Sequence, residues 1–354
     1  MTISPGVPLR FVSPDDLARR DAIEQVLGPI ERLSPEPLQN VGFSGASFER
    51  LHVRMENGLS RSLILKRVPL GGDWVCVRTG DTTGRTAALL AAPELGEVWN
   101  VFHCPYLAYA STDGEMALLM EDVGEHLFPD ERTPLSHGAE EALLGALARL
   151  HARFWDAPVL GARWLTRAEA TLDILRPGDR REDAVAAPPP PIREGLSRGW
   201  PLALRRLPGT LREAMTLPAA QLPGGWRGLP RTLLHGDTKV ANFGVLPSGR
   251  VTAFDWSIAG AGPPTLDLGW YLAMNATRLA RSKEGVLDRY RTLVEEALGR
   301  PVPPDQWEEM VDLAVLCGAR AMLWSKALAL ESGRPGAEEE WQWWVDRLGQ
   351  CELQ

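Results

Sequence analysis

The sequence predicts an α+β protein of two lobes, a small strand-rich front and a larger, mostly helical back. Three observations carry that expectation. From Val41 to Val68 the apolar residues recur with a period of two around the turn Glu56-Asn57-Gly58, and two further strands are expected around Thr112-Asp113-Gly114. After Val123 the period lengthens to that of amphipathic helices, as in Leu143, Leu147, Leu150 and Phe154. Within the helical half, two short apolar runs, Thr232-Leu233-Leu234 and Val251-Thr252-Ala253-Phe254, bracket a polar loop and read as buried strands. The expected division is residues 1–122 for the front lobe and 123–354 for the back lobe.

Taken in order, the first forty residues are polar and punctuated by proline, with a helix expected at Asp15 to Leu27 behind the cap Ser13-Pro14. Leu51, Val53 and Met55 alternate with polar neighbours, and Leu63-Ile64-Leu65 forms a second apolar run. Val41 to Val68 therefore reads as a hairpin with a glycine-bearing loop in front. Gly80 to Asn100 reads as a helix, bent or broken at Pro93. Strands are expected at Tyr106 to Ser111 and Met116 to Met120, and a helix at Glu140 to Trp155. Arg176 to Ile192, with four consecutive prolines from Pro188, reads as a loop. Leu246 to Arg250 is a turn that can close the two apolar runs into a hairpin. Leu266 to Leu298, Trp307 to Leu330 and Glu338 to Leu348 read as helices.

Bulk properties exclude several classes. With 354 residues, 44% hydrophobic and 24% charged, the chain has an ordinary globular composition and can bury a large core. A formal net charge of −8 argues against non-specific binding to nucleic acid or anionic membrane. No run reads as long and apolar enough to span a bilayer, and Met1 to Gly6 lacks the basic region and apolar core of a signal peptide. Cys76, Cys104, Cys317 and Cys351 have neither metal nor redox spacing, so reduced packing thiols in a cytoplasmic protein are expected. No Gly-x-x-x-x-Gly-Lys sequence occurs, which removes the P-loop class. Of 38 basic residues only Lys66, Lys239, Lys283 and Lys326 are lysines. Where arginine is the default cation, a lysine marks a place that needs a compact point charge.

The polar loop is His235-Gly236-Asp237-Thr238-Lys239-Val240-Ala241-Asn242, and Asp255 follows thirteen residues after Asn242. Each residue type has a separate task in moving a phosphoryl group. One carboxylate positions a hydroxyl, a point cation meets the γ-phosphate, and an amide oxygen with a second carboxylate holds Mg²⁺. Both of the last two are the hard oxygen donors that Mg²⁺ prefers. Asp255 stands between Phe254 and Trp256, where an unpaired carboxylate is costly to bury and a metal resolves the cost.

This ordered set resembles the aminoglycoside phosphotransferase and choline kinase family, small-molecule kinases with a protein-kinase-like fold. The residues that carry the match are His235-Gly236-Asp237 with Asn242, then Asp255-Trp256. Asp237-x-Lys239-x-x-Asn242 also has the spacing of the protein-kinase catalytic loop. The resemblance implies that Asp237 and Lys239 are catalytic and that Asn242 and Asp255 hold Mg²⁺. Lys66 would meet the α- and β-phosphates. Gly42, Ser44, Gly45 and Ser47 would form the phosphate-covering loop, and Glu121 and Val123, in Met120-Glu121-Asp122-Val123, the hinge against the base of ATP or GTP. His235 and Asp267 would brace the loop, with His151 and Trp155 on a helix behind it. The usual partner of the strand lysine is a Glu on the next helix. Here Gly84-Arg85-Thr86-Ala87-Ala88 offers none, Glu94 and Glu97 lie late, and Asp81 remains.

The implied function is Mg²⁺-dependent transfer of the γ-phosphate of ATP, or GTP, to a hydroxyl of a small molecule that is aminoglycoside-, amino-alcohol- or sugar-like. Residues 163–200 and 283–344 would line the acceptor site. Glu338-Glu339-Glu340 with Trp341, Trp343 and Trp344 reads as a packing helix in preference to an amine-binding wall. A protein kinase needs a longer activation segment than the twelve residues from Asp255 to Asp267, and no Ala-Pro-Glu segment follows Asp255. A nucleotide-binding pseudokinase or regulatory module has no need of Asp237 but fits the missing Glu. The sequence assigns neither the acceptor's identity nor an oligomeric state.

Overall fold

The computed structural model describes residues 7–39, 44–128, 133–178, 187–223 and 225–351. The front of the chain forms a six-stranded sheet in the order Leu9–Arg10, Tyr106–Ser111, Glu115–Glu121, Ser60–Pro69, Ser47–Met55, Ile30–Leu38. All neighbours are antiparallel except Leu9–Arg10, which runs parallel to Tyr106–Ser111. Strand alternation sorts the side chains between two cores. Leu51, Val53, Leu63, Leu65, Ala117 and Leu119 pack on one side with Leu17 and Ile23, residues of the N-terminal helical segments. Ile64, Val68, Met116, Leu118 and Met120 face the main core of the helical half. Lys66 has the parity of Ile64 and Val68, opposite Phe48 and Leu118, and so emerges toward that half.

Two expectations about this region are corrected. The strand Ile30–Leu38, with Pro35 and Pro37, was expected as irregular chain; it lies at the sheet edge, where a missing proline N–H breaks no ladder. The helix expected over Gly80 to Asn100 is broken at Pro93, as expected, but it begins only at Arg85. Trp74–Thr79, Arg85–Ala91 and Val98–Val101 are separate, divided by left-handed Gly80 and Gly84 and by the turn Pro93–Leu95.

Helices dominate the rest: His137–Arg153, Pro190–Arg206, Gly209–Thr216, Thr265–Met274, Lys283–Leu298, Pro304–Glu331 and Ala337–Gln350. The helix from Pro190 occupies part of the expected loop. Prolines in a first turn forfeit no helical hydrogen bond, because those N–H groups have no partner inside the helix. The expected helix from Leu266 to Leu298 is divided, and the Ser282 side chain caps the second part by accepting from Gly285 N.

Pro304–Glu331 is long and apolar enough to cross a membrane, against the expectation that no run would qualify. Most of its apolar stretch is buried in the protein, so its apolar length reflects packing on several sides. It crosses Thr265–Met274 closely: a Cβ on Gly269 would lie 2.1 Å from the Ala314 carbonyl oxygen.

The hairpin around the Gly249 turn pairs Phe243–Val245 with Val251–Ala253, placing Phe243 opposite Ala253. Thr232–Leu234 was expected as its first strand and is not. It pairs antiparallel with Gly260–Gly262, which runs parallel to Thr166–Arg167 on its other side. A tight turn joins the residues that flank it directly, and the polar loop separates Leu234 from Phe243.

Candidate active site

The loop from His235 to Asn242 is held from below by one carboxylate. Asp267, in the first turn of Thr265–Met274, accepts from His235 N at 2.8 Å through Oδ2 and from Gly236 N at 2.8 Å through Oδ1. Its Oδ2 also faces His151 Nε2 at 3.1 Å, and the other ring nitrogen of His151 meets the Tyr290 hydroxyl. Thr238 Oγ1 donates to the Asp267 carbonyl at 2.6 Å, and Val240 N donates to Asn275 Oδ1 at 2.8 Å. Gly236 turns the chain at φ +84°, and a Cβ there would lie 2.3 Å from the Ile258 carbonyl oxygen. His235 is buried, and burial pushes its imidazole below the ordinary histidine value despite the nearby carboxylates. The neutral ring accepts at Nδ1 from Asp237 N (3.3 Å), so its Nε2–H donates to the Phe254 carbonyl (3.1 Å). It ties the loop to the chain just before Asp255.

Asp237 is almost buried and accepts three donors. Oδ2 accepts from Asn242 Nδ2 at 2.9 Å, Oδ1 accepts from Trp270 Nε1 at 2.9 Å, and the third, Lys239 Nζ, forms an ion pair with Oδ2 at 2.9 Å. Asn242 Nδ2 donates also to the Asp237 carbonyl at 2.9 Å. Both amide hydrogens of Asn242 are directed at Asp237, which leaves its Oδ1, the atom a hard cation takes, outside these bonds.

Asp255 comes to the same place through the hairpin. Phe254 N donates to the Asn242 carbonyl at 3.2 Å, continuing the register, and Asp255 then adopts φ +62°, left-handed for a residue with a Cβ. Its N–H donates to the buried Tyr106 hydroxyl at 3.1 Å. Lys66 Nζ lies 2.8 Å from Asp255 Oδ1 and 5.6 Å from the Phe48 ring centroid. Burial opposes ionisation of Asp255. The ammonium groups of Lys66 and Lys239, with hydrogen bonds from Lys66 and Ser257, outweigh it and hold the carboxyl well below the usual carboxylate range. The partner that Lys66 meets is on none of the expected helix positions. Asp81 accepts from Gly84 N and Arg85 N at the start of a helix, Glu97 pairs with Arg153, and the partner present is Asp255.

Among the described residues no group of three or more His, Cys, Asp or Glu is arranged to hold a metal. Asn242 Oδ1 and the Asp255 carboxylate are the hard oxygen donors at this place that could hold Mg²⁺ if substrate oxygens completed its shell.

Of the expected phosphate loop, Gly42 lies outside the described residues. Gly45 N donates to Asp73 Oδ2 at 2.8 Å, while Asp73 Oδ1 caps Trp74–Thr79. Ser44 precedes it, and Ser47 opens the strand opposite Arg67. At the expected hinge, Glu121 N donates to the Pro105 carbonyl at 2.8 Å and its carboxylate meets His103 Nε2 at 2.7 Å. The Val123 carbonyl accepts from His126 N at 2.9 Å. Trp341, Trp344 and Leu348 are buried, and Glu340 is bound by Lys283 and Lys326. The C-terminal helix therefore packs, as expected.

Three residues here went unread in the sequence: Trp270, Asn275 and Tyr106. Trp270 had a signal, since it lies three residues after Asp267 and so on the same helix face. Tyr106 and Asn275 had none, because their partners are distant in sequence.

The phosphotransferase enzyme family (APH) matches residues 41–302 of the chain. No curated protein sequence matches. Similar solved structures include the choline kinase LicA from Streptococcus pneumoniae, 15% identical, covering 93% of this chain and 97% of that one at TM-score 0.44. An aminoglycoside phosphotransferase from Streptomyces rimosus is 17% identical over 81% and 92%, at TM-score 0.40. The macrolide 2'-phosphotransferase MphH from Brachybacterium faecium is 17% identical over 96% and 99%, at TM-score 0.41.

Proposed function

The chain belongs to the phosphotransferase enzyme family, and on that premise we propose that it moves the γ-phosphate of ATP or GTP to a hydroxyl of a small molecule, with Mg²⁺ as the metal. What supports this most is convergence: a strand lysine, a loop carboxylate with its amide, and a second carboxylate meet from three separate segments. Lys66 reaches Asp255, Phe254 reaches Asn242, and Asn242 reaches Asp237.

Asp237 holds the acceptor hydroxyl and receives its proton as the new ester bond to phosphorus forms and the bond to the nucleoside diphosphate breaks. Lys239 stands beside it as the point charge for the γ-phosphate. Lys66 serves the α- and β-phosphates, with Gly42, Ser44, Gly45 and Ser47 covering them and Glu121 and Val123 at the base. Asn242 Oδ1 and the Asp255 carboxylate would hold Mg²⁺, which when bound neutralises phosphate charge. Lys66 and Asp255 now compensate each other's burial. Phosphate oxygens and a cation offer each the same compensation, so nucleotide entry leaves neither charge bare.

The acceptor class we assign is aminoglycoside-, amino-alcohol- or sugar-like, met in the cytoplasm. Trp270, beside Asp237, shares an apolar cluster with Ile192, Leu196 and Met322, which fall within the two stretches expected to line the acceptor. Thermal melting with ATP or GTP, with and without Mg²⁺, tests the nucleotide half of the reading on wild type and Asp255→Asn. An absent shift with both nucleotides would sink it.

A further inference from the structure

We propose that Trp270 is a positioning residue that determines which atom of Asp237 receives the acceptor hydroxyl, an inference that rests on the reading of Asp237 above. Each carboxylate oxygen offers two acceptor positions. Oδ2 is engaged by the Asn242 Nδ2 hydrogen bond and by the ion pair with Lys239 Nζ, each at 2.9 Å. On Oδ1 one is filled, by Trp270 Nε1 at 2.9 Å. Among the described residues, one position on Oδ1 is left to a hydroxyl, and the indole decides its direction.

The indole cannot easily turn away. Trp270 is 4% exposed, inside a cluster with Trp74, Ile258, Ile174, Leu175 and Ala321. Its helix is the one whose first turn carries Asp267, which grips His235 N and Gly236 N. One rigid element thus holds the loop's backbone from below and its carboxylate from the side. A side chain whose own rotamer is locked by packing gives the angular precision that a reacting carboxylate needs. Indole N–H is a donor only, so it cannot compete with Asp237 for the hydroxyl proton.

The test uses the full chain and hydrolysis of Mg·ATP and Mg·GTP, in which water takes the place of the alcohol. Trp270→Phe keeps an aromatic ring and removes the donor; Trp270→His restores a ring N–H. We expect Trp270→Phe to lower kcat about tenfold, the scale of one hydrogen bond to a charged group, with nucleotide KM and melting temperature close to wild type. Trp270→His should recover part of the loss. Unchanged kcat in Trp270→Phe overturns the proposal. So does a loss of kcat that comes with a raised KM and is not recovered by His, since that is a packing defect. Should Trp270→Phe not fold, Trp270→Leu, which also lacks the donor, carries the same comparison. An Asp237→Asn rate equal to wild type, at any level, overturns the reading beneath the proposal, and the two failures are thereby distinguished.

Discussion

Lys66 Nζ sits 2.8 Å from Asp255 Oδ1, joining the central strand of the front sheet to the residue that follows the hairpin 189 positions later. The pair is largely removed from water, with the lysine side chain 8% and the aspartate side chain 22% exposed. Each charge is tolerable there because of the other.

Removing one partner should therefore cost more than removing both. Lys66→Met leaves a carboxylate uncompensated and should destabilise by about 3 kcal/mol, the lower end of the range for broken buried pairs, since Asp255 keeps some exposure. The double variant Lys66→Met/Asp255→Asn should recover much of that loss. Chemical denaturation of the four proteins gives the coupling directly, and purely additive losses would refute it.

The same pair sets an acid dependence. The folded-state carboxyl of Asp255 lies below its unfolded value of 3.8, so its contribution is present in full above about pH 4. It is lost as pH falls from there toward the lower folded value. Wild type should thus be more stable than Asp255→Asn by a constant margin from pH 7 to about 4, and the margin should shrink below that. A margin that grows on acidification would reverse the sign.

Nucleotide binding should need the second carboxylate through its metal. At a hundred times the dissociation constant a ligand adds roughly 2.7 kcal/mol of stability, readable as a rise in melting temperature. We expect a Mg²⁺-dependent rise with ATP or GTP in wild type and none in Asp255→Asn.

Asp237→Asn should behave differently. It keeps the size of the side chain and loses the carboxylate proposed to receive the hydroxyl proton, so the Mg²⁺-dependent melting shift should survive while kcat falls by about 10²- to 10⁴-fold. A parallel loss of nucleotide binding would assign Asp237 a structural task instead.

Two glycines separate space from conformation. Gly236 and Gly249 both have positive φ, but only at Gly236 does a Cβ meet another backbone, whereas nothing lies within 4 Å of one at Gly249. Gly249→Ala should cost about 1–2 kcal/mol, the strain of the left-handed region alone. Gly236→Ala should cost several times more or fail to fold, as measured by melting and soluble yield.

Much of this was legible in the chain. The alternation from Leu51 to Leu65 marks two strands because one face is buried, and the spacing of Asp237, Lys239, Asn242 and Asp255 picked out residues that the fold brings together. The scarcity of lysine singled out Lys66 before its partner was known. The edge strand Ile30–Leu38 was hidden by its prolines and exposed polar residues, which an edge tolerates and a central strand does not. The misassigned hairpin shows the limit of local reading. Thr232–Leu234 looks like any short apolar run, and nothing within it says that its partner is Gly260–Gly262.

By itself, then, the amino-acid sequence determined the two-part α+β character and the family, because periodicity and residue type are local properties. Tertiary structure alone decided that Lys66 answers to Asp255, that Tyr106 receives the Asp255 N–H, and that Trp270 grips Asp237. Those pairings join residues 33 to 189 positions apart. Buried polar groups take whatever partner the packed core brings within hydrogen-bonding distance, and that selection is made in space and not along the chain.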